Sequence, residues 1–197
     1  TSDQYLTGNM VRKWRVAKSA NKEYKGYFSA NVKAIEKLIP KEVSFEDIYI
    51  TLGSPWVPTS VIDEFIAYLF RQPIRGLKEW DYVKHDEITG TWEIPNKSRY
   101  SYSAISYSTY GTKEVPCLHI LEKTLNLKAV TVTKEVPCKT TKSGVKRVID
   151  KAETLIAVEK QNLLIKTFQD WVWTNPKRKD KLLEIYEEKY SSIRTRT

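Results

Sequence analysis

The chain has 197 residues, a formal net charge of +9, 41% hydrophobic residues and 29% charged residues. This composition is typical of a folded globular protein and excludes a disordered one. The sequence holds no run of 18 apolar residues for a transmembrane helix and no signal-peptide hydrophobic region in its first ten residues. We therefore expect no membrane partner. The two cysteines, Cys117 and Cys138, do not make a disulfide scaffold, so we expect a reduced, cytoplasmic protein. Because the chain starts at Thr1 and has its only methionine at position 10, we also expect a fragment of a longer protein.

The positive charge is unevenly distributed along the chain. Residues 1–41 hold nine Lys and Arg against three acidic residues, whereas residues 42–90 hold four against nine. Residues 91–150 hold ten against five, and residues 175–197 hold seven against four. Basic ends around an acidic block indicate a surface that faces a polyanion, for which nucleic acid is the first candidate. A solvated surface with ordinary lysines explains the same counts, and composition does not decide between the two.

Two N-terminal helices are predicted. Asn9 is a candidate N-cap for the first helix, which places Met10, Trp14 and Ala17 on one face. The second helix is predicted from about 22 to 39, because Pro40 cannot continue it. Its apolar seam is Tyr24, Phe28, Val32, Ile35 and Ile39. The short connection predicts an antiparallel helical pair.

The stretch LGSPWVPTSVIDEFIAYLF at 52–70 predicts a turn followed by a capped amphipathic helix. Thr59 and Ser60 are candidate N-caps, and Asp63 completes a capping box with Ser60. An apolar stripe then occupies one side of the helix, with Asp63 and Glu64 on the other. Aromatic stripes at helical spacing usually lie in a core, so we predict a structural hub without chemistry. The hub residues are Trp56, Phe65, Ile66 and Leu69.

The middle of the chain predicts two β-hairpins and a short helix. The first hairpin turns at Thr89–Gly90 and the second at Gly144, with a helix from about 115 to 125 between them. The Ser/Tyr alternation at 96–110 fits a strand, a loop or a stacking platform for unpaired bases. We favour a strand or loop, since only Lys97 and Arg99 are nearby to form a basic groove.

Two capped helices are predicted at the C-terminal end. Asp150 with Glu153 forms a capping box for a long helix that runs to about residue 174. Asn175 caps the last helix, and Pro176 takes its first position. Three cations follow at once, Lys177, Arg178 and Lys179. Cations at a helix N-terminus oppose the macrodipole, which indicates a role such as phosphate contact.

The chemistry-bearing motifs of common enzymes are missing from the sequence. It has no Walker A loop, no G-x-G-x-x-G, no G-x-S-x-G and no aromatic-proline tetrapeptide of the adenine-methylating enzymes. Cys117 and His119 form a Cys-x-His, but only Cys138 and His85 remain to complete a zinc site. We therefore expect no metal, no cofactor and no catalytic residue, and a chain that is not itself an enzyme.

These patterns predict an α+β fold that is mainly helical. The terminal helices pack together, and a small insert contains antiparallel β-structure. The predicted segments are N-terminal helices at 1–51, an α+β insert at 52–148 and C-terminal helices at 149–197. A single compact unit is expected.

Five stretches occur in a fixed order along the chain: KAIEKLIPKEVSFEDIYITLGSPWVPTSVIDEFI, TGTWEIPNKS, TYGT, ILEKTLNL and QDWVWTNPKRKDKLLEIYEEKYSSIR. Together they resemble the spacer of very large phage and conjugative-element proteins. In those proteins the spacer lies between an N6-adenine DNA methyltransferase domain and a Swi/Snf-type superfamily 2 helicase. The resemblance covers about residues 8–196 and implies a parent that binds ATP and modifies or protects mobile DNA against host restriction. It also implies that the neighbouring methyltransferase and helicase domains are partners.

Two functions from different classes follow as hypotheses. The first is a non-catalytic DNA-binding or domain-positioning module that contacts phosphates without reading bases. The second is a structural scaffold whose exposed aromatic residues dock onto adjacent domains and which has no DNA affinity. The residues predicted to contact DNA are Arg12, Lys13, Arg15, Lys18, Lys142, Lys146, Arg147, Lys177, Arg178 and Lys179.

Overall fold

The computed structural model describes residues 8–39, 45–72, 83–100, 103–137, 145–191 and 193–194. The strands are β1 (Gly8–Asn9), β2 (Lys84–Asp86), β3 (Thr91–Glu93), β4 (Thr133–Pro137), β5 (Val145–Ile149) and β6 (Ile193–Arg194). The α-helices are α1 (Met10–Glu23), α2 (Ser29–Glu36), α3 (Thr59–Leu69), α4 (Cys117–Leu125), α5 (Lys151–Val172) and α6 (Pro176–Tyr186). Short 3-10 helices occupy Phe45–Asp47 and Lys97–Tyr100, and π-helical turns occupy Ile105–Thr109 and Glu187–Ser191.

The fold is α+β and mainly helical, as predicted. In the described ranges the strands form three antiparallel pairs, β1 with β6, β2 with β3, and β4 with β5. The contacts divide the chain into two compact units. The first unit holds the described residues up to Tyr49 and those from Asn175 onward, and the second unit runs from Ile50 to Thr174.

The first unit joins the two ends of the chain. Strand β1 pairs with β6, and the Asn9 side-chain amide donates to the Glu188 carbonyl at 3.0 Å. The unit's core is built by Met10, Ala17 and Ile35, against which Trp14, Val32, Leu38 and Ile39 pack. Helices α1 and α6 belong to this unit and are joined by the Arg15–Glu184 ion pair, as expected for terminal helices that pack together, whereas the long helix α5 belongs to the other unit. Asn9 is the N-cap of α1, also as predicted, since its Oδ1 accepts from the Arg12 amide at 2.8 Å.

The second predicted helix is wrong at its start. Instead of beginning near residue 22, the chain turns at residues 24–28, and α2 begins at Ser29. Lys25 and Gly26 have φ of 46° and 94°, which a right-handed helix cannot include. The turn therefore separates Tyr24 from the predicted apolar seam.

The second unit is organised around α3 and α5. The four predicted hub residues are all buried. The Phe65 ring centroid lies 5.2 Å from that of Phe168 and 5.2 Å from that of Trp171, both on α5. The long helix, which the sequence analysis grouped with segment 149–197, thus packs within the same unit as α3. Its N-cap is Asp150, as predicted, because that carboxylate accepts from the amides of the next helical turn.

The start of α3 differs from the predicted capping box. Pro58 is the N-cap and provides no side-chain hydrogen bond. Asp63 does not lie on a solvent-facing side, since its side chain is only 7% exposed. Its Oδ1 accepts from the Val83 amide at 2.8 Å, so the carboxylate serves a long-range contact rather than the helix start.

Both predicted hairpins are confirmed in the described residues. Strands β2 and β3 pair with His85 opposite Trp92, and β4 and β5 pair with Thr133 opposite Ile149. In the Ser/Tyr tract, for which a strand or a loop was favoured, the described parts form a 3-10 helix and a π-helical turn rather than a strand. Helix α4 begins one residue after Pro116, which is its N-cap. Residues 80–82, 101–102 and 138–144, which include parts of the predicted strands and turns, lie outside the described residues.

None of the helices in the described part of the chain combines the length and the apolar character that a bilayer-crossing segment needs.

Candidate nucleic-acid interface

Helix α1 carries the densest set of predicted DNA-contacting residues. Within Met10–Glu23 there are five cations and one acidic residue. Met10 and Ala17 turn toward the core, so the opposite face of the helix is left for solvent. The cations that are exposed on that face are Arg12, Arg15, Lys18 and Lys22.

Two of the α1 cations, Arg15 and Lys18, make exposed contacts within the protein. Arg15 forms an ion pair with Glu184 at 2.9 Å, and both side chains are largely exposed. Exposed pairs of this kind contribute about 0–1 kcal/mol and are screened by salt. The Lys18 ammonium lies 4.4 Å from the Trp14 ring centroid. These contacts hold the side chains over the surface while leaving their charges accessible to an anion.

A shallow pocket lies beside the first turns of α1. It has a volume of about 320 Å³ and is lined by Asn9, Arg12, Lys13 and Val16. No acidic residue lies in the first helical turn. The pocket therefore combines the positive end of a helix with two side-chain cations, which is the electrostatic environment that a phosphate group favours.

The start of α6 repeats this arrangement only in part. Asn175 is the N-cap and accepts from the amides of Lys177 and Arg178, with Pro176 at the first helical position, as predicted. Lys177 is exposed. Lys179 lies with its ammonium 3.2 Å from the Phe45 ring centroid. Arg178 is only 7% exposed, so its guanidinium is not available to phosphate in this conformation.

The predicted hairpin cations belong to the other unit. Lys146 and Arg147 lie on β5 with exposed side chains, and Arg147 pairs with Glu135 across the hairpin at 3.3 Å. Lys142 lies outside the described residues. The fold thus collects the α1 and α6 cations in one compact unit and assigns the β5 cations to the second.

Among the described residues, an arrangement suited to catalysis would involve the candidate nucleophile Cys117, the nearby His119 or possible metal ligands. Burial raises the pKa of the Cys117 thiol to about 12, so at neutral pH the side chain is not a thiolate nucleophile. Burial also lowers the pKa of His119, and the nearby Lys97 charge acts in the same direction. No group of three His, Cys, Asp or Glu residues that could hold a metal ion occurs among the described residues. Cys138 lies outside them.

Two features were missed by sequence reasoning. The first is a pocket of about 630 Å³ in the second unit, between the end of α3 and the π-helical turn, with Tyr68, Arg71 and Tyr110 in its lining. The second is the exposed set of aromatic rings in the turn after α1. Gly26 inside KEYKGYF was the available sequence signal for that turn, since glycine readily adopts positive φ.

Comparison with known proteins gives one family. The model of a family described as a domain of unknown function (DUF8437) matches residues 51–192. No curated protein matches the chain, and no solved structure does. The match covers more than half of the chain, including α3, both hairpins, the long helix and α6. The chain therefore belongs to the DUF8437 family.

Proposed function

We propose that this protein is a non-catalytic DNA-binding module that contacts phosphates through the exposed face of α1. The observation that carries the proposal is the charge of that helix, five cations against one acid, on a helix whose other face is fixed in a core. A rigid helix holds its cations at constant spacing along a groove or strand. Phosphate neutralisation by such cations needs no base readout, so the binding is independent of sequence.

The positions of the cations on α1 are better explained by binding of an anion than by an ordinary solvated surface. Arg12 and Lys13 stand near the N-terminus of α1, where cations are opposed by the helix macrodipole. An anion at this end would relieve that opposition and would also accept from the cations. The Arg15–Glu184 pair is a weak competitor for such an anion, because both of its partners are solvated.

The setting of the module follows from the resemblance described above. We place it in the cytoplasm, between a methyltransferase domain and a helicase domain of a mobile-element protein. In that setting, a sequence-independent grip on DNA would keep the substrate near both catalytic domains. A module of this kind would raise the local concentration of DNA without taking part in either reaction.

A salt titration of DNA binding tests the proposal. Fluorescence anisotropy of a labelled duplex is measured with the full chain between about 50 and 200 mM NaCl. The variant R12Q/K22Q should bind more weakly and should reduce the slope of log K against log salt concentration by about 2, one per removed phosphate contact. The matched control is K151Q/K166Q, which removes two exposed charges from α5 in the other unit.

Two outcomes would reject the proposal. One is absence of duplex and single-strand binding by the wild-type chain at about 50 mM NaCl, where non-specific electrostatic binding is strongest. The other is an equal reduction of the slope by R12Q/K22Q and by K151Q/K166Q, which would show that net charge alone determines binding.

A structural scaffold is the second candidate, and exposed apolar side chains in the second unit favour it. Ile88 at the β2–β3 turn is 96% exposed, and Leu127 after α4 is 76% exposed. A scaffold that docks through them would associate with a separately expressed neighbouring domain and show no affinity for DNA. The variant I88S/L127S should then weaken that association, measured by calorimetry, while R12Q/K22Q should not.

A further inference from the structure

Three aromatic rings form a corner where α1 ends. The aromatic corner consists of Tyr24, Tyr27 and Phe28. Tyr27 is 83% exposed and Tyr24 is 58% exposed, whereas Phe28 is half-buried beneath them. The ring centroids of Tyr24 and Tyr27 lie 5.6 and 5.1 Å from that of Phe28, with interplanar angles of 83° and 89°. Both tyrosines thus make T-shaped contacts with the half-buried Phe28 ring and leave much of their own surface in water.

The backbone of the corner is tightly hydrogen-bonded. The Tyr24 amide donates to the Ala20 carbonyl at 2.9 Å, and the Gly26 amide donates to the Asn21 carbonyl at 2.8 Å. The Tyr27 amide then donates to the Tyr24 carbonyl at 3.1 Å. The bond from Gly26 to Asn21 closes the end of α1 as in a Schellman motif, with Lys25 in the left-handed position. Because these hydrogen bonds already hold the backbone, it loses little conformational freedom when the rings bind a ligand. This lowers the entropic cost of binding.

Exposed cations lie next to the aromatic corner in the sequence and along α1. Lys22 and Lys25 flank Tyr24 and are exposed, and Lys18 lies one helical turn before Lys22. From Arg12 to Phe28 there are six cations and a single acidic residue, Glu23. The basic helix α1 is thus followed directly in the chain by two exposed rings.

We infer that the aromatic corner stacks unpaired bases, so that this surface prefers single-stranded DNA to duplex. The inference rests on the proposed function, since the α1 cations supply the phosphate contacts. Single-strand binders combine a positively charged track for the backbone with aromatic rings on which successive bases stack. In a duplex the base faces are already stacked on one another, and the rings of Tyr24 and Tyr27 have no face to meet.

The charge of the corner favours a nucleic acid over an apolar protein partner. A protein surface that covered Tyr24 and Tyr27 would have to accommodate the exposed Lys25 that lies between them in the chain. Burial of an unpaired charge is strongly unfavourable. A DNA strand instead places a phosphate beside every base, so the same contact that covers a ring also pairs a lysine.

The test compares single-stranded and duplex DNA on the same variants. Anisotropy is measured with labelled oligo(dT) of about 20 nucleotides and a duplex of the same length, which both exceed the footprint of a small module. We expect Y24A/Y27A to weaken oligo(dT) binding by about tenfold or more and duplex binding by less than about twofold. The variant Y24F/Y27F, which keeps the rings, should retain wild-type affinity for oligo(dT).

Tyr49 provides the matched control. It belongs to the same unit and is 77% exposed, but it follows the acidic pair Glu46 and Asp47. The variant Y49A should leave affinity for both DNA forms unchanged. Thermal unfolding of each variant checks that the fold is retained, and loss of two exposed rings should leave the melting temperature nearly unchanged.

Each remaining outcome has one meaning. Equal wild-type affinity for both DNA forms, or unchanged oligo(dT) binding by Y24A/Y27A, would overturn the stacking inference and leave the proposed function in place. Parallel loss of duplex and oligo(dT) binding in Y24A/Y27A would also overturn it. Absence of all DNA binding by the wild type would reject the proposed function itself. An association with a neighbouring domain that Y24A/Y27A abolishes, without DNA affinity, would identify the corner as a protein contact.

Discussion

Asn126 and Trp92 exchange two hydrogen bonds across 34 residues of sequence. The Asn126 amide nitrogen donates to the Trp92 carbonyl at 2.7 Å, and its Oδ1 accepts from the Trp92 amide at 2.9 Å. Nearby, Glu122 accepts from the Ile94 amide at 2.7 Å and from the Lys97 ammonium at 2.6 Å. The side chains of Glu122 on α4 and of its C-cap Asn126 thus bond the backbone in and directly after β3, as a neighbouring strand would. They join the first hairpin to the helix.

Removing the Asn126 amide should weaken the attachment of β3 to α4. The substitution Asn126→Ala leaves two partly buried Trp92 backbone groups without their partners, and we expect a loss of about 2–3 kcal/mol in the free energy of unfolding. Urea denaturation measures it. The control Asn162→Ala, at an exposed position on α5, should change stability by less than about 0.5 kcal/mol. A similar effect for both variants would show that the Trp92 contact adds nothing.

Gly53 should be sensitive to the smallest side chain. Its φ is 89°, and an added Cβ would lie 2.6 Å from the Leu125 carbonyl oxygen at the end of α4. We expect Gly53→Ala to destabilise the protein by about 2–4 kcal/mol through backbone strain and overlap. Gly90 is the matched control, because its φ is 66° but a Cβ there meets no atom within 4 Å.

The Gly90→Ala variant should therefore have backbone strain but no steric overlap, and its free energy of unfolding should fall by about 1–2 kcal/mol. Chemical denaturation of the two variants separates the contributions. Equal losses would mean that the turn at Gly53 moves away from Leu125 at no energetic cost.

Truncation of Trp56 should show how much the turn before α3 contributes to the core. The side chain is buried, and we expect Trp56→Ala to lower the free energy of unfolding by about 3–5 kcal/mol through lost contacts and a residual cavity. Thermal melting is a sufficient measurement. The control is Tyr49→Ala at an exposed ring, and an unchanged melt for Trp56→Ala would reject the hub assignment.

Asp63 should make stability depend on pH. Burial raises its pKa to about 6, against the opposing effect of the hydrogen bond from the Val83 amide, whereas the unfolded carboxyl has a pKa of about 3.9. Between about pH 4 and 6 the folded state keeps a proton that the unfolded state has released. The contribution of this group to stability is therefore present at low pH and is lost as pH rises through 6.

The substitution Asp63→Asn should remove this dependence. The amide oxygen can still accept from Val83, and no charge is buried at neutral pH. We expect a smaller fall in the free energy of unfolding between about pH 4 and 7 than in the wild type, and at pH 7 a variant no less stable than the wild type. Urea titrations across this range test it, with exposed Asp170→Asn as the control that should keep the wild-type slope.

Some of the fold could be predicted because its causes are local. Asn9, Asp150 and Asn175 were predicted as N-caps, and each accepts from an amide two or three residues later. An N-cap depends only on its own side chain and on the first turn of the helix that follows. A few consecutive residues are therefore enough to predict it. The hairpin turn at Thr89–Gly90 was predicted for the same reason.

Asp63 shows where local reasoning fails. Its position three residues after Ser60 fits a capping box, yet its partner is the amide of Val83, 20 residues away. A short polar side chain can satisfy either contact, and only the packing of the second unit selects one. The hydrogen bonds between Asn126 and Trp92 could not be predicted either, because the residues near each of them in the sequence do not indicate the partner.

The sequence by itself determined the basic charge, the helical character and the identity of the cations on α1. Only the tertiary structure decided which cations are exposed and can contact an anionic ligand. Arg178 is buried while Lys177 beside it is exposed, and Arg147 belongs to a different unit from Arg15. It also decided that Tyr24 and Tyr27 face water, since a turn at Gly26 removed Tyr24 from the predicted seam. Charge is a property of a residue, whereas exposure depends on what the rest of the chain packs against it.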